Sequence, residues 1–595
     1  MNTGMSIPSF LALVFVLLLT EGCKIEITVP QGGKVVSASH AYDCDSGNTC
    51  IVEVNDFHFA ETFDAHAWEG WIFIGWKLGQ KYLCQRSESV CHLSNKGLEN
   101  HEAIAAIVES DETFYLEPEF VKGTPFNEAL ANVQDENLRA CLNKVPPPRR
   151  YAEQIRNVDC NSYSSRTGSV KGIEAFSLIE RLALRGNGSL TDLQPLGKLS
   201  RLQNLDLRLE SPYFNAAALG ELKLLDNITL WFDAPNPDLT EMGNLQSLRE
   251  LRLAALSASS LDLNGIDSLV NLRELRLSYN RISDIGPLAG LTNLKYLDLD
   301  YTNISDIGPL AGMTNLETLY LDRNQISEID PLAGLTNLKY LDLSENQISD
   351  IGPLAGLTNL VTLSLHRNQI SEIDPLVAGM TSLENLYLGS NQISDIGPLV
   401  GLKKLESLYL SHNQINEVGQ PLDGLTDLKY LSLDSNQIND ISELAGLKKL
   451  ETLDLHNNQI SDIGPLAEID SIPRLYLQNN LIQDASPLKQ HYPLTLDPSF
   501  GPGFDWSYYL GWITGFGDIG NVGVSLDLSN NPIRSIGDAL DGIRAGVIFL
   551  IDVPLMCKEY PRLVEQYDSR AIITERGSGG GFGFEYWYEL PERCL

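Results

Sequence analysis

A short leucine pattern returns along most of this chain, and it restricts the fold more than any other feature. Leu319-Tyr320-Leu321-Asp322-Arg323-Asn324 comes back as Leu341-Asp342-Leu343-Ser344-Glu345-Asn346 and as Leu363-Ser364-Leu365-His366-Arg367-Asn368. An earlier copy starts at Leu275, and later ones start at Leu386, Leu408, Leu431, Leu453 and Leu475. Looser copies stand at Leu182, Leu205, Ile228 and Leu251 before this array and at Leu526 and Ile548 after it. The alternation in Leu297-Asp298-Leu299 makes a short strand, with leucines inward and Tyr296, Asp298 and Asp300 outward. One such strand cannot bury its apolar face, whereas stacked copies share a continuous core beneath a parallel sheet. The return segment Ser305 to Leu310 is too short and too rich in Gly and Pro for a long helix, so 3-10 turns or extended chain are expected opposite the strands. Asn324, Asn346 and Asn368, at the bend of each copy, are expected to satisfy backbone groups with their amides; Thr302 interrupts that ladder once.

The unit L-x-x-L-x-x-L-x-L-x-x-N-x-I, with 22 residues between Leu319 and Leu341, resembles the leucine-rich repeat. The text from Leu291 to Leu299 (LTNLKYLDL) and its copies is most similar to the internalin-like class of bacterial leucine-rich-repeat proteins. The resemblance runs from about residue 158 to 553. It implies an α/β solenoid: a curved repeat array with a parallel β-sheet on its concave face and 3-10 or extended segments on its convex side, preceded by a small β domain.

Residues 1–22 are expected to be an export signal, because the apolar run Phe10–Leu19 is about half the length needed to span a bilayer. Thr20-Glu21-Gly22-Cys23 resembles the lipobox of bacterial lipoproteins, which implies a lipid anchor on Cys23; a free thiol there is the alternative. Setting Cys23 aside leaves eight of the nine cysteines, an even number suited to an oxidising compartment. Closure between nearest neighbours offers Cys44 with Cys50, Cys84 with Cys91, Cys141 with Cys160 and Cys557 with Cys594, among 105 connectivities for eight cysteines.

Residues 23–122 carry strand-like alternation in Lys24–Val29 and Ile51–Val54. Gly70-Trp71-Ile72-Phe73-Ile74-Gly75-Trp76 looks like the signature of small β-grasp-like repeats of bacterial surface proteins, so a disulfide-bearing β domain is expected there. Residues 123–157 are expected to form a helical cap, with one helix over 127–142 ended by Pro146-Pro147-Pro148 and stapled to the first strand by Cys141 and Cys160. Residues 158–553 are then the repeats, interrupted by an aromatic insertion at 494–526, and 554–595 a disulfide-closed cap with a helix over Lys558–Asp568.

Catalytic chemistry finds little support. His101-Glu102 begins like a zinc-protease motif, but Ala105 stands where the second histidine would be. The glycine-rich stretch 577–583 lacks the following Lys-Ser/Thr of a phosphate loop. No enzyme activity, cofactor or metal is expected, and an unrecognised catalytic site in the N-terminal β domain is a distant alternative. With 78 acidic against 43 basic residues the net charge is −35, which repels nucleic acid. Acidic residues return once per copy, among them Asp284, Asp306, Asp350, Asp395, Asp440 and Asp462; capping of turn N–H groups is preferred over a calcium column.

Binding residues are sought on the outward strand positions. Tyr296, Tyr320, Tyr340, Tyr387, Tyr409, Tyr430 and Tyr476 stand there beside Asp342 and Asp434, and nothing in the repeat core calls for an aromatic at those positions. The expected function is protein binding, adhesion or recognition, by a lipoprotein of the bacterial outer membrane or cell surface, either outward or periplasm-facing. An acidic face suits a basic protein ligand. The alternative is a glycan-binding adhesin that uses Trp506, Tyr508, Tyr509 and Trp512 of the insertion.

Overall fold

The computed structural model describes residues 23–484 apart from 55–57, 78, 85–88, 95–111, 146–149, 162–165, 212, 216, 233–238, 256–260, 375–378, 420–421, 423 and 470–471, together with residues 487–488 and the backbone of three strands at 525–527, 547–549 and 571–573. The expected signal segment, His101-Glu102, Pro146 to Pro148, the glycine-rich stretch 577–583, the helix over Lys558–Asp568, Cys557, Cys594 and the insertion aromatics Trp506, Tyr508, Tyr509 and Trp512 lie outside the described residues. The chain divides into two compact units, residues 1–207 with 218–225, and residues 208–217 with 226–595.

The first unit opens with nine strands: β1 Cys23–Thr28, β2 Gly33–Ser37, β3 Cys44–Asp45, β4 Thr49–Val54, β5 Ala60–Ala67, β6 Trp71–Trp76, β7 Val90–Ser94, β8 Thr113–Leu116 and β9 Pro118–Lys122. They pair in the orders β4-β1-β8, β3-β2-β5-β7 and β6-β9. Strict alternation in β1 turns Ile25 and Ile27 inward, where they join Val35, Val52, Phe63, Trp76 and Leu116 in one core. Disulfides Cys44–Cys50 and Cys84–Cys91 close short loops of this domain.

The cap departs from the single helix expected over 127–142. Two short helices form instead, α1 Phe126–Asn132 and α2 Glu136–Leu142. The Asp135 carboxylate accepts from Leu138 N at 2.9 Å and so starts a new helix, while the Arg139 guanidinium takes the Val133 carbonyl at 2.5 Å. Leu138 and Leu142 are fully buried, and Cys141–Cys160 ties α2 to the end of the first repeat strand, Asn157–Asp159.

The second unit is a curved solenoid of parallel strands, one per repeat or rung. Strands stack in strict register: Leu275, Leu297, Leu319, Leu341, Leu363, Leu386, Leu408, Leu431, Leu453 and Leu475 lie side by side, each fully or almost fully buried. The backbone continues in the same register through Leu526, Ile548 and Ile572, so Ala571–Ile573 adds a rung inside the stretch expected as a cap. Opposite the strands, Gly-Pro-Leu segments such as Gly308–Gly312 and Gly352–Gly356 form 3-10 turns, with Pro pre-set for the first turn. The acidic ladder caps these turns: Asp306 accepts from Gly308 N at 2.8 Å, and Asp350 and Asp395 accept from Gly352 N and Gly397 N at 2.7 Å.

The asparagine ladder holds neighbouring rungs together. Asn346 Nδ2 donates to Leu321 O at 2.9 Å and Leu343 O at 3.0 Å, one carbonyl from each of two rungs, and its Oδ1 accepts from Ile326 N at 3.0 Å. At the interruption, Thr302 Oγ1 donates to Leu299 O at 2.6 Å, and Asn324 Oδ1 accepts from both Thr302 N and Ile304 N. The residue before each ladder position is left-handed although none is glycine: Tyr279, Tyr301, Arg323, Glu345, Arg367, Ser390, His412, Ser435, Asn457 and Asn479 all have φ between 51° and 62°.

Candidate partner-binding face

Between the inward leucines and the bend, each rung of the second unit turns three outward-pointing positions to the sheet surface, followed by the left-handed residue at its rim. Stacked rungs convert these positions into columns about 4.8 Å apart from rung to rung. The first column contains Tyr296, Tyr340 and Tyr430; the second Tyr320, Asp342, Tyr387, Tyr409 and Tyr476; the third Asp300, Asp322, His366, Asp434 and His456. All nine residues expected to meet a partner therefore stand on this one surface.

They do not make one continuous strip. Tyr296, Tyr320 and Tyr340 form a zigzag across two columns, with ring centroids 5.5 and 4.7 Å apart. Arg276 sits over the Tyr296 ring at 4.3 Å and is held there by Glu274 at 2.5 Å. Tyr387 and Tyr409 form a separate stacked pair at 4.8 Å and 11°. Tyr430 points to the edge, where its hydroxyl donates to Glu451 at 3.2 Å. Tyr476 belongs to the last rung with described side chains, away from both aromatic groups.

Carboxylates surround the zigzag: Asp298, Asp300, Asp322 and Asp342. Burial, with the negative charge of Asp298 next in effect, pushes the Asp300 carboxyl up to about 7. Burial, then Asp342 and Glu345, pushes Asp322 up to about 7 as well. Burial likewise raises the Tyr296 hydroxyl to about 12 and drives Tyr340 upward. The patch is thus an aromatic floor with crowded, partly dehydrated carboxylates, which a cation or hydrogen-bond donor would relieve.

Further features here are not evident from strand alternation. Tyr279 and Tyr301 stack at 4.6 Å, and Arg323 lies over Tyr301 at 4.5 Å while bridging to Glu345 at 2.6 Å. These side chains occupy the left-handed column, where the strand period has ended, so the alternation that marks the outward strand positions does not mark them. Tyr279 is 70% exposed, as much as Tyr213 of the same unit. Glu317, beside the first column, is held down to about 2 by Lys295 and Lys339, at 2.6 and 2.7 Å. Cys23, in the first unit, is a free thiol at the start of β1. It is 6% exposed with Sγ turned toward Val54 O at 3.9 Å, and burial raises its pKa.

Register-locked parallel strands, an asparagine ladder and a side-chain-rich sheet surface together define a leucine-rich-repeat solenoid. The chain belongs to the leucine-rich-repeat proteins. The model for paired leucine-rich repeats matches residues 270–312, 292–334, 314–356, 336–378 and 426–468, and a second leucine-rich-repeat model matches 358–415. Among solved structures it is similar to an internalin (inlF) of Listeria monocytogenes, with 34% identity over 56% of this chain and 98% of that one and a TM-score of 0.48. A leucine-rich-repeat protein of Leptospira interrogans is similar at 23% identity over 71% and 96%, with a TM-score of 0.52. The structure of the Drosophila Toll–Spatzle complex shares the fold at 19% identity over 68% and 55%, with a TM-score of 0.50. No curated protein matches the sequence.

Proposed function

We propose that this protein is an envelope-anchored recognition protein of a bacterium, exported to the outer membrane or cell surface, which holds a basic protein partner on the sheet face of its repeats. The observation that carries the reading is the zigzag of Tyr296, Tyr320 and Tyr340 among Asp298, Asp300, Asp322 and Asp342. Half-buried aromatic rings supply contact area at low entropic cost, and dehydrated carboxylates favour an incoming Lys or Arg. The stacked pair Tyr387–Tyr409 extends the same surface. Toll in complex with Spatzle shows a shared fold used for a protein ligand.

Attachment is assigned to a lipid on Cys23. Its Sγ is buried in β1, so an acylated Cys23 must swing out of the strand, giving up the terminal Cys23–Val54 pair while Lys24 to Thr28 stay paired. The functional test is titration calorimetry with a partner captured from the host environment. Alanine at Tyr320 and Tyr340 is expected to weaken binding at least five-fold each, about 1 kcal/mol. Asp342→Asn should flatten the salt dependence. Intact affinity in the tyrosine variants would overturn the reading in favour of the aromatic insertion and a glycan.

A further inference from the structure

We propose that the protein partner carries a carboxylate beside its basic residues and settles on the sheet face in one orientation, with that carboxylate held by Arg252 and Arg276 and its Lys or Arg groups on the aspartates of the zigzag. The inference rests on the partner reading and specifies the ligand's second charge. Arg252 and Arg276 are register partners on the adjacent strands Glu250–Ala255 and Glu274–Arg276, so their side chains leave one column about 4.8 Å apart. Like charges directly opposite one another repel, and an anion set between them relieves the repulsion.

Both guanidinium groups keep donors for a ligand. Arg252 is exposed and lies over the Trp231 ring at 4.9 Å, with no carboxylate at ion-pair distance among the described residues. Arg276 lies over Tyr296 and donates from Nε to Glu274, while its Nη groups donate to no described residue. A ring beneath a guanidinium fixes its plane and leaves the N–H edge free, the edge that takes a carboxylate in bidentate fashion. The column changes sign at the next step, where Asp298 is the register partner of Arg276, yet these two form no ion pair. Arginine and aspartate rungs are thus both left to an incoming ligand. Their middles, between Leu251 and Leu275 and at Leu319, stand two and a half steps of about 4.8 Å apart, or about 12 Å, which an extended segment spans in about four residues. Farther along the face, the histidine–aspartate cluster of His412, Asp434, Asp454 and His456 instead sets histidine against carboxylate within itself, with His456 Nδ1 2.6 Å from Asp454 Oδ1 and His412 Nε2 4.0 Å from Asp434 Oδ2.

The test titrates the full chain, by fluorescence anisotropy, into two dye-labelled peptides with blocked ends, Glu-Glu-Gly-Gly-Lys-Lys and Gln-Gln-Gly-Gly-Lys-Lys. General attraction to so acidic a chain favours the second, which has the higher positive charge. The arginine pair favours the first, by about ten-fold. Arg252→Gln, at an exposed side chain whose loss leaves the fold intact, should reverse that preference. Arg273→Gln removes the same charge from the same rung, just before the strand, and should preserve it. Asp342→Asn should weaken both peptides. Equal or tighter binding of the glutamine peptide to the unaltered chain, or the same preference in the Arg252 and Arg273 variants, would overturn this inference and leave the basic-partner reading standing. Failure of both peptides to bind, or affinities unmoved by Asp342→Asn, would overturn that reading and this inference with it.

Discussion

Asn391→Ala measures what one step of the asparagine ladder contributes. Asn391 is 9% exposed; its Nδ2 donates to Leu365 O at 2.9 Å and Leu388 O at 3.0 Å, and its Oδ1 accepts from Ile370 N at 3.0 Å. The carbonyls do not depend on it alone. Leu365 O also receives Asn368 Nδ2 at 3.1 Å, and Leu388 O receives Asn413 Nδ2 at 3.0 Å. Truncation therefore leaves each carbonyl one of its two bonds and orphans a single group, the Ile370 N–H. A buried, unsatisfied donor costs about 1–3 kcal/mol, so the loss should be about 2 kcal/mol, with the half-stripped carbonyls adding a few tenths. Asp395→Ala removes one exposed bond to Gly397 N at 2.7 Å and should cost about 0.5 kcal/mol. Urea denaturation followed by circular dichroism gives the global values, and hydrogen exchange at the Ile370 amide gives the local one. At about 1.4 kcal/mol per decade, exchange there should accelerate more than ten-fold, while amides several rungs away respond less. A loss at Asn391 no larger than at Asp395, or unchanged protection of Ile370, would refute the bridging role.

Two further outcomes follow from the same geometry. Asp300 and Asp322 titrate near 7 in the folded chain against about 3.9 unfolded, so between those values the native state holds more protons and stability falls as pH rises; Asp300→Asn and Asp322→Asn should raise the melting temperature at pH 8 and leave it unchanged near pH 4, and an effect of equal size at both would refute burial as its cause. Cys23→Ser should abolish palmitate labelling and release the protein from membranes without unfolding the β domain, since Cys23 contributes only the last pair of β1; labelling that survives would discard the anchor.

The repeat array could be read from the sequence because its inward positions obey two constraints together: the strand period of two and the return of the pattern after one rung. Leu297, Leu319 and Leu341 meet both, and any polar residue there would be buried without a partner. The cap was less legible. Apolar spacing across 127–142 satisfies one helix as well as two, and the break depends on Asp135 accepting from Gly168 N at 2.8 Å, a residue far along the chain. The left-handed column has no common residue type, since Tyr301, Arg323, Ser390 and His412 all occupy it. That conformation is imposed by stacking: the N–H of Arg323 donates to Ser344 O in the next rung, and that of His412 to Asp434 O. Outward tyrosines were visible as residues, whereas their grouping was not. Tyr320 is in register with Asp298 and Asp342, yet its ring lies 5.5 and 4.7 Å from those of Tyr296 and Tyr340 in the neighbouring column.

A rung repeats what the core needs and varies what the surface offers, so recognition must be encoded in the columns. The acidic, aromatic patch is centred on the rungs of Leu297, Leu319 and Leu341, and the histidine–aspartate cluster on those of Leu408, Leu431 and Leu453. Their middles, at Leu319 and Leu431, are separated by five steps of about 4.8 Å, or about 24 Å. An interface of about 800 Å² per partner, taken as a square, is about 28 Å on a side. One protein ligand of ordinary size therefore reaches both centres. Protons act at Asp300 and Asp322, where they lower the negative charge at one end of this footprint. Acidification should therefore weaken a basic ligand through the first centre, and Asp300→Asn with Asp322→Asn should remove that pH dependence from the binding curve.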